Sequence, residues 1–181
     1  MFDITISKEI KIHCENLLKH HNFGNCGVAD GNASEQLTGL LGQNTLQQLF
    51  GLPLMDGKGG FDNGEDINFN NTSIDVKTMG RTVNMKSYYV HNLIGLQEHY
   101  PTQVYIFCSY NKKTDILTIC GWVTKEQHRK RAKFYPKGTI RTRSNSTTFS
   151  TKADLYEIRN DALNDVTNLE DLKQQLNQLQ L

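Results

Sequence analysis

Two apolar runs in the middle of the chain constrain its fold more than any other feature. Val104–Ser109 (VYIFCS) and Ile116–Val123 (ILTICGWV) are rich in β-branched and aromatic residues, and the turn-like stretch NKKTD separates them. Short, nearly continuous apolar runs around a turn predict an antiparallel strand pair that is buried on both faces. We therefore expect this hairpin to lie inside the sheet of the domain.

The rest of the chain predicts further elements around this hairpin. In chain order they are a helix from Ile6 to about His21, a helix N-capped by Ser34 and ending near Phe50, two short alternating strands, a polar helix from about Lys86 to His99, a short helix and loop after Val123, a strand near Leu155, and a leucine-spaced helix from about Leu169. This order describes an α/β domain with a central mixed β-sheet flanked by helices.

Length and composition are typical of a single-domain intracellular protein. The 181 residues predict one domain over residues 1–160, followed by a helical tail over residues 161–181. The chain has no run of 18 apolar residues, its start lacks the apolar segment of a signal peptide, and its four cysteines show no CxxC spacing. We therefore expect no membrane partner and a cytoplasmic location, which would be the host cytoplasm for a phage-encoded protein.

Four leucines in the tail leave two alternatives for the last helix. Leu169, Leu172, Leu176 and Leu179 follow a 3-4-3 spacing, which suits either docking onto the domain or pairing of two subunits in a homodimer. Docking is the expected arrangement, because two heptads seldom hold a dimer alone.

The charges are segregated along the chain although the net charge is only +1. Residues 1–75 carry 4 basic and 10 acidic side chains, residues 76–152 carry 14 basic and 3 acidic ones, and residues 153–181 carry 2 basic and 6 acidic ones. Such segregation suits a surface that binds a polyanion, because neutralised phosphates release counterions. The same charges on separate solvated faces would have no such function, so both interpretations stay open here.

The segment EDINFNNTSIDVKTM, residues 65–79, predicts a β-hairpin that carries charged side chains. With Asn70-Asn71 as a two-residue turn, Ile67 pairs with Ile74 and Asp66 with Asp75. Asp66, Asp75 and Lys77 then share one face, because side chains alternate along a strand. Opposed carboxylates destabilise a sheet unless a cation lies between them, and Mg²⁺ prefers such oxygen ligands. An ordinary exposed hairpin also carries Asp and Lys, so the pattern alone does not decide.

Asp66, followed after eight residues by Asp75-Val76-Lys77, resembles the core signature of the PD-(D/E)XK (restriction-endonuclease-like) nuclease superfamily. The order of elements is similar too, with a helix before the acidic hairpin and two strands after a further helix. The stretches from Gly121 and Ala153 (GWVTKE and ADLYEI) resemble those of small phage and bacterial members. The resemblance covers roughly residues 30 to 160 and implies a restriction-endonuclease-like core.

The resemblance also implies roles for individual residues. Asp66, Asp75 and the carbonyl of Val76 correspond to ligands of a divalent cation, Mg²⁺ with Mn²⁺ as its substitute, and Lys77 to the residue that positions the attacking water. Relatives often add a Glu from the preceding helix. The matching residue here is Gln43, which brings no charge. Glu35 lies two turns earlier and about 80° around the helix, where it would serve as the alternative.

Basic residues after the hairpin are the expected contacts to DNA, the partner that the resemblance implies. They are Arg81, Lys86, Arg129, Lys130, Arg131, Lys133, Lys137, Arg141 and Arg143. Basic side chains contact phosphates, and the interleaved Phe134 and Tyr135 could stack on unpaired bases.

The function expected from the sequence is a divalent-metal-dependent DNA nuclease, an enzyme that hydrolyses phosphodiester bonds. The alternatives are a catalytically weakened DNA-binding module with the same fold, a nuclease that acts on branched DNA, and a partner-binding protein whose acidic hairpin is only a surface. The Gln at position 43 is the feature that favours the weakened module.

Overall fold

A central five-stranded sheet organises the protein, of which the computed structural model describes residues 1–23, 31–58, 64–142 and 146–179. The strands are β1 (Phe2–Thr5), β2 (Ile67–Phe69), β3 (Thr72–Arg81), β5 (Val104–Asn111) and β6 (Ile116–Thr124), in the order β1-β6-β5-β3-β2. β3 and β5 run parallel, and the other neighbours are antiparallel. The α/β class and the mixed central sheet are therefore confirmed.

β5 and β6 form the hairpin predicted from the two apolar runs, and every residue of β5 is buried. Alternate side chains of β5 enter two separate cores. Val104 and Ile106 belong to a core shared with helices, whereas Tyr105 and Phe107 belong to a second core on the opposite face. A strand that is covered on both faces lacks polar alternation, which is why the sequence signal here was strong.

Helices cover one face of the central sheet. They are α1 (Lys8–His20), α2 (Ala33–Phe50) and α4 (Leu169–Asn177). A further helix, α3 (Lys125–Arg131), follows β6 directly. α2 begins two residues earlier than predicted: Asn32, not Ser34, is its N-cap, because Asn32 forms a capping box with Glu35. Leu172 and Leu176 of α4 lie in the core shared with α1 and α2, so the tail docks onto its own domain.

A second sheet covers the opposite face. It consists of β4 (Val90–Ile94), β10 (Leu155–Arg159) and β7 (Lys133–Tyr135), in the order β4-β10-β7. A separate hairpin joins β8 (Ile140–Thr142) to β9 (Thr148–Ser150).

The polar helix predicted from Lys86 to His99 is wrong. This stretch forms β4 and a 3₁₀ helix at Gly95–His99. His91 and Leu93 alternate with more exposed neighbours and enter the second core, and β4 pairs with β10, which lies more than 60 residues away in the chain. That long-range pairing overrides the local helical pattern.

Four further strands of the described chain are not predicted from the sequence: β1 and β9 fall outside the predicted elements, and β7 and β8 lie in the stretch predicted as a short helix and a loop. None of the helices within the described ranges is long and apolar enough to cross a membrane.

Candidate active site

The acidic hairpin forms with the predicted turn and register. Asn70 and Asn71 adopt left-handed backbone conformations, with φ of 50° and 64°, as a tight hairpin turn requires. Ile67 pairs with Ile74, and both side chains are buried. The strand pairing ends there, one pair before the expected opposition of Asp66 and Asp75, so β3 continues past the end of β2.

The side chain of Asp66 continues the pairing where β2 stops. Its backbone N–H donates to the carbonyl of Ile74 at 3.0 Å, and its Oδ2 accepts the N–H of Val76 at 2.7 Å. The carbonyl of Asp66 also accepts the side-chain amide of Gln47, on α2, at 3.0 Å. These bonds fix Asp66 against the edge of β3 at the level of Asp75 and Val76.

Asp75 and Lys77 form a largely buried ion pair on β3. Asp75 is 1% exposed, and Lys77 Nζ lies 2.7 Å from its Oδ1. A buried carboxylate needs such compensation, because loss of hydration costs several kcal/mol. Tyr105 is the neighbour of Asp75 on β5. Burial first, and the Asp75 charge second, raise the pKa of Tyr105, so its phenol stays neutral.

These side chains meet at one cavity of about 410 Å³. Gln43, Asp66, Asp75, Val76 and Lys77 all contribute to its lining, so five of the six predicted residues around the metal site come together. The remaining lining residues are His21, Asn22, Phe23, Gln36, Gly39, Leu40, Met55, Gly57, Gly64, Gln97 and Tyr100.

Glu35, the predicted alternative to Gln43, does not contribute to the cavity lining within the described part of the chain. It is exposed at the start of α2, where its Oε2 accepts the N–H of Asn32 at 2.9 Å. Its carboxylate therefore stabilises the helix N-terminus.

Two glycines allow the walls of the cavity to approach each other. A Cβ at Gly42 would lie 2.9 Å from the Cβ of Thr78 on β3, and closer still to its Oγ1, so α2 packs directly on that strand. Gly64 has φ of +80°, and a Cβ there would lie 2.9 Å from the ring of Tyr100. Gly42 thus lets α2, which carries Gln43, pack closely on β3. Gly64 lets the segment that leads into Asp66 pass against the ring of Tyr100.

The donor set suits a hard divalent cation that the substrate helps to hold. Asp66 and Asp75 supply two carboxylates, Gln43 an amide and Val76 a carbonyl at the same cavity. Throughout the part of the chain that the structure describes, no three His, Cys, Asp or Glu side chains group as a metal site. Mg²⁺ is commonly held by one or two carboxylates with water and phosphate, so these residues fit Mg²⁺ better than Zn²⁺.

Helix α3 ties part of the basic segment to the cavity wall. Lys125, at its start, donates to the carbonyl of Tyr100, and Arg129 forms an ion pair with Glu98. The hydrogen bond from Arg129 lowers the pKa of Glu98, whose carboxylate stays ionised beside it. Because Tyr100 lines the cavity, Lys125 at the start of α3 contacts the cavity wall.

Other residues of the predicted DNA surface have structural partners. Arg131 donates to the carbonyl of Ala162 at 3.0 Å, Lys130 pairs with Glu126 at 2.6 Å, Arg141 pairs with Glu157 at 3.0 Å, and Lys133 lies 5.2 Å from the Tyr135 ring. Lys137 is exposed, and its backbone N–H donates to Asp154. The side chains that stay exposed, such as Lys130 and Lys137, are the ones that phosphates can reach.

Arg81 and Lys86 lie away from the carboxylates. Arg81 Nη2 donates to the carbonyl of Val90 at 2.7 Å, its guanidinium stacks on Tyr89, and burial lowers its pKa. Lys86 lines a separate recess. Arg143 lies outside the described residues. Arg81 therefore serves the packing of the second sheet.

The rings at the cavity, His21, Phe23 and Tyr100, were missed by the sequence analysis. All three lie in connecting segments, and no motif marks them. Proximity to Asp66 arises only from the folding of distant segments onto α2.

Comparison of the chain with protein-family models, with curated proteins and with solved structures finds no match.

Proposed function

We propose that the protein is a divalent-metal-dependent nuclease that hydrolyses phosphodiester bonds in DNA. The observation that carries the proposal is the convergence of Asp66, Asp75, Lys77 and Gln43 on one cavity. A buried carboxylate with a lysine at 2.7 Å, beside a second carboxylate, is costly to build and has no evident structural purpose at the edge of β3.

Each residue of the site has a task in this reaction. Asp66, Asp75 and the carbonyl of Val76 would hold Mg²⁺, with Mn²⁺ as a substitute, and the bound cation supplies charge to the pentavalent transition state. Lys77 orients the attacking water and offsets the negative charge that develops on the phosphate. Its ion pair with Asp75 holds the ammonium in place. The amide of Gln43 can donate to a water or to a phosphate oxygen.

The positive charge of α3 supports the same function. Exposed side chains such as Lys130 of α3, and Lys137 after it, would contact backbone phosphates, and DNA binding should then weaken steeply with salt.

Plasmid cleavage tests the proposal. Supercoiled DNA is incubated with Mg²⁺, Mn²⁺ or EDTA and with the wild type, Asp75→Asn, Lys77→Met or Glu65→Gln. Glu65 is the matched control, because it is exposed, adjacent to Asp66 and outside the cavity lining. We expect metal-dependent cleavage by the wild type and Glu65→Gln only. Equal cleavage by Asp75→Asn would refute the site.

A catalytically weakened DNA-binding module is the second candidate, and Gln43 is the observation that favours it. The position is buried at the cavity, where a carboxylate would supply a third charged ligand. Salt-sensitive DNA binding without cleavage would support this candidate. Gln43→Glu should then create or enhance metal-dependent cleavage.

A further inference from the structure

The carboxylates share the cavity with aromatic side chains. Three rings, His21, Phe23 and Tyr100, contribute to its lining, together with Asn22 and Gln97. A phosphodiester group and its cation have no use for aromatic rings, so these rings would contact another part of a DNA strand.

Hydrogen bonds hold the segment that carries His21 and Phe23 in place. The N–H of Phe23 donates to Gln36 Oε1 at 3.0 Å, and Gln36 Nε2 donates to Asn22 Oδ1 at 3.0 Å and to the carbonyl of Gly31 at 2.8 Å. The ring of His21 lies 5.7 Å from that of Phe23. This segment is therefore anchored to α2, the helix that also carries Gln43.

Tyr100 is held by contacts of its own. Its N–H donates to the carbonyl of Gln97 at 3.2 Å, its own carbonyl accepts from Lys125, and its ring lies against Gly64. Because Gly64 is two residues before Asp66, this ring is coupled to the segment that positions a carboxylate. The rings and Asp66 are therefore attached to the same elements, α2 and the segment that leads into Asp66.

The size of the cavity and its aromatic lining favour an unpaired base as the occupant. A cavity of about 410 Å³ is within the range of sites for small molecules of nucleotide size. A base inside an intact duplex cannot enter such a cavity unless it leaves the stack. Aromatic rings bind unpaired bases of any sequence by stacking, which needs no complementary strand.

We propose that this cavity seats one unpaired base beside the scissile phosphate, so that the preferred substrate is single-stranded DNA. The proposal rests on the proposed nuclease function, since it assigns a substrate class to that same site. Relaxed duplex DNA is then cut slowly, whereas negative supercoiling or a frayed end exposes the single-stranded segments that the site prefers.

Binding of a DNA strand that contains 2-aminopurine tests the proposal without cleavage. The protein is wild type in EDTA and, separately, Asp75→Asn in Mg²⁺. We expect quenched fluorescence on binding the single strand and at least about fivefold weaker binding of the same sequence as a duplex. Phe23→Leu and Tyr100→Leu should each weaken single-strand binding by about fivefold or more. Phe23→Tyr should restore it.

Tyr88→Leu is the matched control, because Tyr88 is 55% exposed and lies outside the cavity lining. It should bind as the wild type does, and thermal melting confirms that each variant is folded. Unchanged binding by folded Phe23→Leu and Tyr100→Leu, or equal affinity for duplex and single strand, overturns the base site. The plasmid assay separates the two failures: cleavage that persists in these variants leaves the nuclease proposal standing alone.

Discussion

Replacing Gly42 with alanine tests how closely α2 must approach the sheet to form the site. The added Cβ would lie 2.9 Å from Thr78 Cβ, a separation that side-chain rotation cannot relieve, because both atoms are fixed by their backbones. Overpacking of this kind costs about 1–3 kcal/mol, while alanine in place of glycine in a helix interior contributes about 1 kcal/mol in the opposite direction. We expect a net loss of up to about 2 kcal/mol for Gly42→Ala.

Gly39 provides the matched control one turn earlier on the same helix. A Cβ at Gly39 meets nothing within 4 Å in the described structure, so Gly39→Ala keeps the propensity gain without the clash. We expect it to stabilise the protein by about 0.5–1 kcal/mol. Thr78→Ala, added to Gly42→Ala, removes the Oγ1 and Cγ2 contacts and should recover part of the loss.

Urea unfolding of the four proteins measures these differences. A change in the midpoint at constant slope reports stability rather than an altered denatured state. DNA cleavage should fall in Gly42→Ala, because α2 carries Gln43 at the cavity and Gln47 on Asp66. Equal stability of Gly42→Ala and Gly39→Ala would refute the close packing of α2 on β3.

Three further predictions concern the ion pair, a buried histidine and the segment before Asp66. Lys77→Met removes the ammonium from the buried carboxylate of Asp75 and should lower the free energy of unfolding by about 3–5 kcal/mol, measured by urea unfolding; a loss below 1 kcal/mol would contradict the pair. Burial lowers the pKa of His128 to about 4, and neither ring nitrogen has a hydrogen-bond partner in the described structure. The folded protein therefore favours the neutral ring. Its full contribution to stability is present at pH values above the unfolded pKa, which is near 6.5. That stability is lost as pH falls from 6.5 to about 4, and His128→Phe should reduce the slope of unfolding free energy against pH in this window; an unchanged slope would contradict it. Gly64→Ala places a Cβ against Tyr100 at a φ of +80°, which should cost about 1–3 kcal/mol and slow DNA cleavage, whereas wild-type cleavage in the folded variant would show that this contact does not position the site.

Local chemistry explains why the acidic hairpin could be predicted. The residues Asn70 and Asn71 both tolerate positive φ, which fixes the turn, and alternation from Ile67 to Phe69 fixes the register once one face is buried. The same alternation predicts Asp75 and Lys77 on one face of the strand, but it does not predict that Asp75 is buried. Sequence alone could not show that Asp66 takes a hydrogen bond from Val76 instead of a strand partner.

Long-range pairing explains the main error. The stretch Tyr88-Tyr89-Val90 is rich in strand-forming residues, but the polar residues after it suggested a helix. β4 forms because β10 lies beside it and because His91 and Leu93 fill the second core. Neither partner is visible in the local pattern, since β-propensity depends on what packs against the strand.

The aromatic lining of the cavity could not be predicted from the sequence, for a different reason. Phe23 and Tyr100 lie in connections, where residue choice follows no periodicity, and their partner residues come from α2 and α3. Glu35 shows the converse, since a residue placed by helical phase as a candidate ligand serves as an N-terminal cap.

The rate of DNA nicking in saturating Mg²⁺, compared between Asp75→Asn and Glu65→Gln, tests the nuclease site most directly. Both variants replace a carboxylate by an amide of the same size, Asp75 at the cavity and Glu65 outside its lining, next to Asp66 in the chain. A cation ligand in the transition state predicts a rate for Asp75→Asn that is about 100-fold or more below that of Glu65→Gln. Equal rates in the two variants would contradict the assignment.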